Sequence, residues 1–194
     1  MYHYWKAEVP KDICEGIITE FTVEDNLIQG TTGGLYTENA ENEDGTIGDL
    51  NLEKRNSRLT FVDKEHPINS VLLEYIQRAN IATYGYQITK MTPCQFARYA
   101  EGEYYHWHTD AGFVLEEFQQ ETRKLSLILQ LSDPDTYEGG EVQFFNGEAE
   151  IEELPIKPQG SIMVFDSRMW HRVTTVTKGV RYSIVSWILG PAFK

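Results

Sequence analysis

The chain has 194 residues, 30 of them acidic and 17 basic, for a formal net charge of −13. A hydrophobic fraction of 41% with 12% aromatics excludes a disordered polymer, and the length points to one domain over residues 1–194. The acidic excess argues against binding to a nucleic-acid backbone or an anionic membrane face, both of which select clustered Lys and Arg.

The N-terminus has no apolar leader segment, and no run reaches the roughly 18 apolar residues of a membrane span. The sequence therefore predicts a soluble, cytoplasmic protein. Cys14 and Cys94 are too few for a disulfide framework and read as buried free thiols. In chain order, residues 10–21 predict a helix, because Ile13, Ile17, Ile18 and Phe21 recur at helical spacing behind Pro10. Residues 29–51 are rich in Gly, Asn and acids and read as a long loop, either solvated or functional, such as a lid. Residues 67–83 predict a second helix with Val71, Leu72, Tyr75, Ile76 and Ala79 on one face.

From residue 85 the pattern changes. Runs at 87–91, 95–99, 104–110, 124–131, 141–145, 161–165, 171–176 and 180–189 are rich in β-branched and aromatic residues, with turn residues between most of them. They predict a mainly β body over 85–194, a sandwich or jelly roll, supported by the helices and the long loop of 1–84. Leu125, Leu127, Leu129 and Leu131 alternate along a strand that faces the core. Gly139 and Gly140 read as a turn, and the acidic stretch 148–153 as a solvated face.

The chemistry concentrates in Tyr104-Tyr105-His106-Trp107-His108-Thr109-Asp110. On a regular strand, residues two apart share a face, so His106, His108 and Asp110 would point the same way. An imidazole and a carboxylate so placed can take two adjacent positions on one metal. His171, at the start of a later strand, is the histidine left to supply a third. Two His and one carboxylate are the donor set of the non-haem Fe(II) oxygenases. Ten residues after His171, beyond a predicted Lys178-Gly179 turn, comes Arg181, on one strand face with Ser183, Val185 and Trp187. A guanidinium among such neighbours needs an anionic partner, which a bound carboxylate would provide.

Residues 94–189 resemble the 2-oxoglutarate/Fe(II) dioxygenases of the prolyl 4-hydroxylase type, especially the small microbial PKHD-type hydroxylases. The resemblance runs through Gln95-Phe96-Ala97-Arg98-Tyr99, His108-Thr109-Asp110 and Tyr137-Glu138-Gly139-Gly140-Glu141. It continues through Val164-Phe165-Asp166-Ser167, His171-Arg172-Val173 and Arg181-Tyr182-Ser183, with a weaker echo at Arg55-Asn56-Ser57-Arg58. It implies a double-stranded β-helix (a jelly-roll or cupin-like barrel) with His108, Asp110 and His171 binding Fe(II). Arg181 would pair with the distal carboxylate of 2-oxoglutarate, Tyr99 would hydrogen-bond the same group, and Trp187 and Ser183 would lie beside the cosubstrate. A turn at 100–103 is needed to bring Tyr99 and His108 to one face.

Arg58, Tyr105, Trp107 and Trp170 are candidates for contact with substrate, against a surface or packing role. The implied reaction hydroxylates a C–H bond with dioxygen and 2-oxoglutarate and releases succinate and CO2, with ascorbate as a possible reductant. The first expectation for the substrate is prolyl 4-hydroxylation of a peptide or protein. A free amino acid or other small molecule is the alternative, and a non-catalytic metal-binding β-barrel a third. The sequence does not specify the oligomeric state.

Overall fold

The computed structural model describes residues 1–22, 26–32, 51–111, 121–145, 147 and 151–193. Most of the 29–51 loop and residues 148–150 of the acidic stretch lie outside them. The N-terminal elements are β1 (Tyr2–Trp5), α1 (Lys11–Thr22), β2 (Ile28–Gln29), β3 (Arg55–Asn56), β4 (Arg58–Phe61) and α2 (Ile68–Ala79). The β body follows as β5 (Lys90–Met91), β6 (Gln95–Ala100), β7 (Tyr104–His108), β8 (Glu121–Gln130) and β9 (Tyr137–Gly139). It ends with β10 (Val142–Phe145), β11 (Ile151–Glu153), β12 (Ile162–Asp166), β13 (His171–Val173) and β14 (Val176–Pro191).

Two sheets form. The larger runs β1-β12-β8-β14-β6-β4-β2, with β5 and β9 also on β14; the smaller runs β11-β10-β13-β7-β3. This is the mainly β jelly roll that the sequence implies, although the two sheets do not close into a continuous barrel. The alternation in β8 explains how the layers are assembled. Leu125, Leu127 and Leu129 pack in one cluster with Cys14 and Ile17 of α1 and Leu72 and Ile76 of α2. The intervening residues take the other face, where Ile128 joins Phe144 and Phe165 between the sheets. The helices thus shield the outside of the larger sheet, and the space between the sheets is left for a site.

Several elements differ from the sequence expectation. The second helix ends in a π turn at Asn80–Tyr84, and only Lys90–Met91 of the 87–91 run is paired. The Lys178-Gly179 turn is not a break, since β14 runs through it; the chain leaves β13 and enters β14 at Thr174 and Thr175 instead. Strands β1, β2, β3, β4, β9 and β11 are two to four residues long, too short to show a period of their own, and exist because a neighbour pairs with them.

One irregularity bears directly on the site. On β13, His171 pairs with His108 and Val173 with Tyr105, so three steps along β7 oppose two along β13. This is a β-bulge. It places Tyr105 and His108 on the same inner face, with rings stacked 3.6 Å apart and 9° from parallel. His106 is exposed and packs on Tyr104 at 4.8 Å instead. The expectation that His106 shares a face with His108 is therefore corrected, because period-two counting fails across the extra residue.

Candidate active site

His108 stands at the end of β7 and His171 at the start of β13, cross-strand neighbours in the smaller sheet. Asp110 follows β7 and is held by its backbone N–H, which donates to the Ser167 carbonyl at 2.9 Å. Among the described residues these three form the group that could hold a metal, with one donor atom from each all within 4.8 Å of one another. The Nε2 atoms of His108 and His171 each lie 3.5 Å from an Asp110 carboxylate oxygen. Each ring is aimed by its other nitrogen. His108 Nδ1–H donates to the His106 carbonyl at 2.7 Å, and His171 Nδ1–H to the Met169 carbonyl at 2.9 Å. A carbonyl can only accept, so in the neutral tautomer of each ring the lone pair is on Nε2, which faces the shared space. His106 thus serves the site through its backbone rather than its ring.

The electrostatics agree with a metal site. Burial of Asp110 would raise its pKa, but the two imidazoles and Arg123 outweigh burial and hold the carboxyl well below the usual range. Burial, reinforced by His108, pushes His171 down to about 4 against the opposing pull of Asp110 and the Met169 carbonyl. An ionised carboxylate and a neutral imidazole are the ligand states a divalent metal requires. Ser126 Oγ–H donates to Asp110 Oδ2 at 2.6 Å and lies 2.9 Å from Ser167 Oγ. Ser126 was missed in the sequence. Its signal is a polar side chain in the leucine strand, on the face opposite the leucines.

Arg181 is 2% exposed; among the described residues its Nη2 has no hydrogen-bond partner, while Nη1 donates to Ser183 Oγ at 3.4 Å. A buried guanidinium amino group without an acceptor fits a ligand carboxylate. Gly140 makes room for it. A Cβ there would lie 3.0 Å from Arg181 Cδ and from Val176 Cγ2, and its φ of +64° suits glycine. Tyr99 is directly opposite Arg181 across β6 and β14, with its ring centroid 5.7 Å from the guanidinium carbon. The chain turns between β6 and β7, as the sequence requires, so Tyr99 and His108 both line the cavity described next.

A cavity of about 240 Å³ lies against the three donors, and Tyr99, Tyr105 and Trp187 line it. Arg181 and Ser183 are not on its wall. Of the Arg55–Arg58 segment, Arg55 lines it and Arg58 is exposed on β4. Arg123 also lines it, with its guanidinium 4.0 Å from the Trp187 ring, and burial lowers its pKa. Trp107 packs on the exposed Phe145 at 6.2 Å, and Trp170 is exposed, so neither is on the cavity wall. Burial pushes the Tyr105 phenol up to about 12.

The donor set and the unpartnered Arg181 nitrogen suit Fe(II) with a dicarboxylate cosubstrate, and comparison with known proteins points to the same pair. The family model described as 2OG-Fe(II) oxygenase superfamily matches residues 94–189. A PKHD-type hydroxylase of Thermosynechococcus vestitus is 33% identical over 137 residues, 70% of this chain and 60% of that protein. The chain spans about half the length of the curated relatives it matches, as little as 39% for a Synechococcus PKHD-type hydroxylase that is 36% identical over 90 residues, 46% of this chain. Among solved structures, a Pseudomonas putida prolyl-4-hydroxylase superposes with a TM-score of 0.70 at 18% identity, covering 96% of this chain and 91% of that one. A Trichoplax adhaerens prolyl hydroxylase, solved with a peptide fragment of the hypoxia inducible factor oxygen degradation domain, also gives 0.70, at 16% identity, covering 96% and 82%. These likenesses establish a shared fold. The sequence matches and the His108, Asp110 and His171 cluster lead to one conclusion: residues 94–189 belong to the 2OG-Fe(II) oxygenase superfamily, and by sequence the chain is similar to its PKHD-type hydroxylases.

Proposed function

We propose that this protein is an Fe(II)- and 2-oxoglutarate-dependent dioxygenase that hydroxylates a prolyl residue of a peptide or protein at C4. The observation that carries the proposal is the convergence of three metal donors within 4.8 Å of one another in a fold whose buried Arg181 has one nitrogen without an acceptor among the described residues. When bound, Fe(II) and 2-oxoglutarate would supply the oxygen activation that turns a C–H bond into C–OH, with succinate and CO2 as co-products. The chain's own work is positioning and exclusion of water. His108, Asp110 and His171 hold the metal. Arg181, backed by Ser183, fixes the distal carboxylate, Tyr99 donates to the same group, and Trp187 packs beside it. Tyr105, Arg58, Trp107 and Trp170 are the candidate substrate contacts, and Tyr105 is the one that lines the cavity.

Support for a peptide substrate comes from the prolyl hydroxylases that share the fold, one of them solved with a peptide. A free amino acid is the alternative, favoured by Arg55 and Arg123 on the cavity wall, whose charge suits a small carboxylate. The test is succinate release from 2-oxoglutarate with proline-containing peptides and with free amino acids, for the wild type, His108→Ala and Arg181→Ala. Peptide-stimulated succinate that disappears in both variants supports the proposal. Stimulation by free amino acids alone supports the alternative, and no turnover with Fe(II) bound refutes both.

A further inference from the structure

The two histidine rings are braced differently. His171 is enclosed by core side chains, with Phe165 at 4.9 Å and 72° and Phe144 at 6.1 Å and 89°. Those two rings meet His171 edge-on, whereas the ring that braces His108 lies flat against it. The Tyr105 ring lies on it face to face at 3.6 Å, brought there by the bulge in β7. Tyr105 is braced in turn. The Arg55 guanidinium carbon sits over its ring, 4.8 Å from the centroid. Since the imidazole fills one face of the phenol ring, the guanidinium takes the other.

Arg55 is itself fixed tightly for a buried cation. It is directly opposite Tyr105 across β3 and β7. Its Nε–H donates to Ser57 Oγ at 2.8 Å and Nη1–H to the Thr31 carbonyl at 3.2 Å. A Cβ on Gly30 would fall 2.7 Å from Arg55 Nε and 2.8 Å from Ser57 Oγ, so only glycine admits this approach. Among the described residues no ion pair reaches Arg55. Its charge lies over the Tyr105 π face, where a desolvated cation gains most.

We infer that Tyr105 and Arg55 are positioning residues for the metal ligand His108: a guanidinium–phenol–imidazole column that fixes the plane of the imidazole while the His106 carbonyl fixes its rotation. The inference rests on the proposed metal site. It assigns Tyr105 a role that does not need its hydroxyl and Arg55 a role that does not need substrate. A ring fixed in both plane and rotation keeps Nε2 aimed at the ion without loss of side-chain freedom on binding, so the column contributes to metal affinity and to coordination geometry.

The experiment is an anaerobic titration of the metal-free protein with Co(II), followed by the intensity and position of its visible absorption, with Fe(II) competition for affinity. Wild type, His108→Ala, Tyr105→Phe, Tyr105→Leu and Arg55→Met are compared, and metal-free melting temperature is recorded for each. Tyr105→Phe keeps the ring and is expected to bind within about twofold of wild type. Tyr105→Leu should bind about tenfold more weakly, at the low end of the range for groups that orient metal ligands, with an altered spectrum. Arg55→Met should lie between them, and it carries the test if the leucine variant does not fold. A leucine or methionine variant that folds, binds within twofold and keeps the wild-type spectrum overturns the inference. If the wild type binds no Co(II), or His108→Ala binds as well as the wild type, the metal site itself fails and the column falls with it.

Discussion

The Asp110 carboxylate receives a short hydrogen bond from Ser126, 2.6 Å to Oδ2. Ser126→Ala removes it and leaves a buried charged oxygen without that donor, a loss of about 1.5–3 kcal/mol for a charged acceptor. The variant should bind Fe(II) about tenfold more weakly while Co(II) still occupies the same site, and an anaerobic metal titration checks this. The metal-free protein should also lose stability in acid. His171 has a folded pKa of about 4 against an ordinary 6.5. As pH falls, the unfolded chain takes up the proton first, so the stability this group contributes is complete above pH 6.5 and drains away towards pH 4. Asp110, held low, adds to the loss below that window. Denaturant unfolding in the presence of a chelator should show a drop of about 3 kcal/mol between pH 7 and 4, flattened in His171→Gln. At this scale the convergence of the three donor side chains and the burial of Arg181 were legible, because residue type and spacing are written in the chain. The facing of His106 was not, since one extra residue in β7 reverses it, and neither Ser126 nor Arg123 belongs to any motif.

Between elements, Gly140, which follows β9, is packed closely against β14. Gly140 sits at a φ of +64° and lets the Arg181 stem pass 3.0 Å from where a Cβ would be. Gly140→Ala should cost about 1–3 kcal/mol of stability for a non-glycine residue in that region. It should also weaken 2-oxoglutarate binding by displacing the guanidinium, with Fe(II) affinity unchanged. Thermal unfolding and separate titrations of metal and cosubstrate distinguish the two effects. Both helices and the long strands were legible from their periods, because burial of one face imposes 3.6 or 2.0 on the sequence. The short strands β1 to β4 were not. Their residues pair because β12, β6 and β7 offer free edges, a fact of tertiary structure that no local run encodes.

For the molecule as a whole, the helices and the leucine face of β8 make one continuous core, which holds Cys14 at 0% exposure and Cys94 at 1%. Burial pushes each thiol up to about 11, with Asp12 and Glu15 adding to the shift at Cys14. At pH 8 about one thiol in a thousand would then be ionised, and steric access is closed as well. Iodoacetamide at that pH should label neither cysteine in the native protein and both in denaturant. Labelling of the native protein at a rate near that of the denatured chain would mean that the layer of α1 and α2 opens readily. No described helix is long and apolar enough to cross a membrane. The layer order was legible from the switch between helical and strand periods near residue 85, whereas the separation into two unclosed sheets depends on pairings between strands far apart in the chain.

The claim on which the account depends is that His108, Asp110 and His171 hold Fe(II) beside a dicarboxylate anchored on Arg181. The most direct measurement is the visible charge-transfer band formed when 2-oxoglutarate chelates protein-bound Fe(II) without oxygen. The account predicts a saturable band in the wild type, its loss in His171→Ala, and a need for about 100-fold more 2-oxoglutarate in Arg181→Ala, the cost of removing a buried charged partner. A band that survives His171→Ala, or an unchanged 2-oxoglutarate dependence in Arg181→Ala, would contradict it.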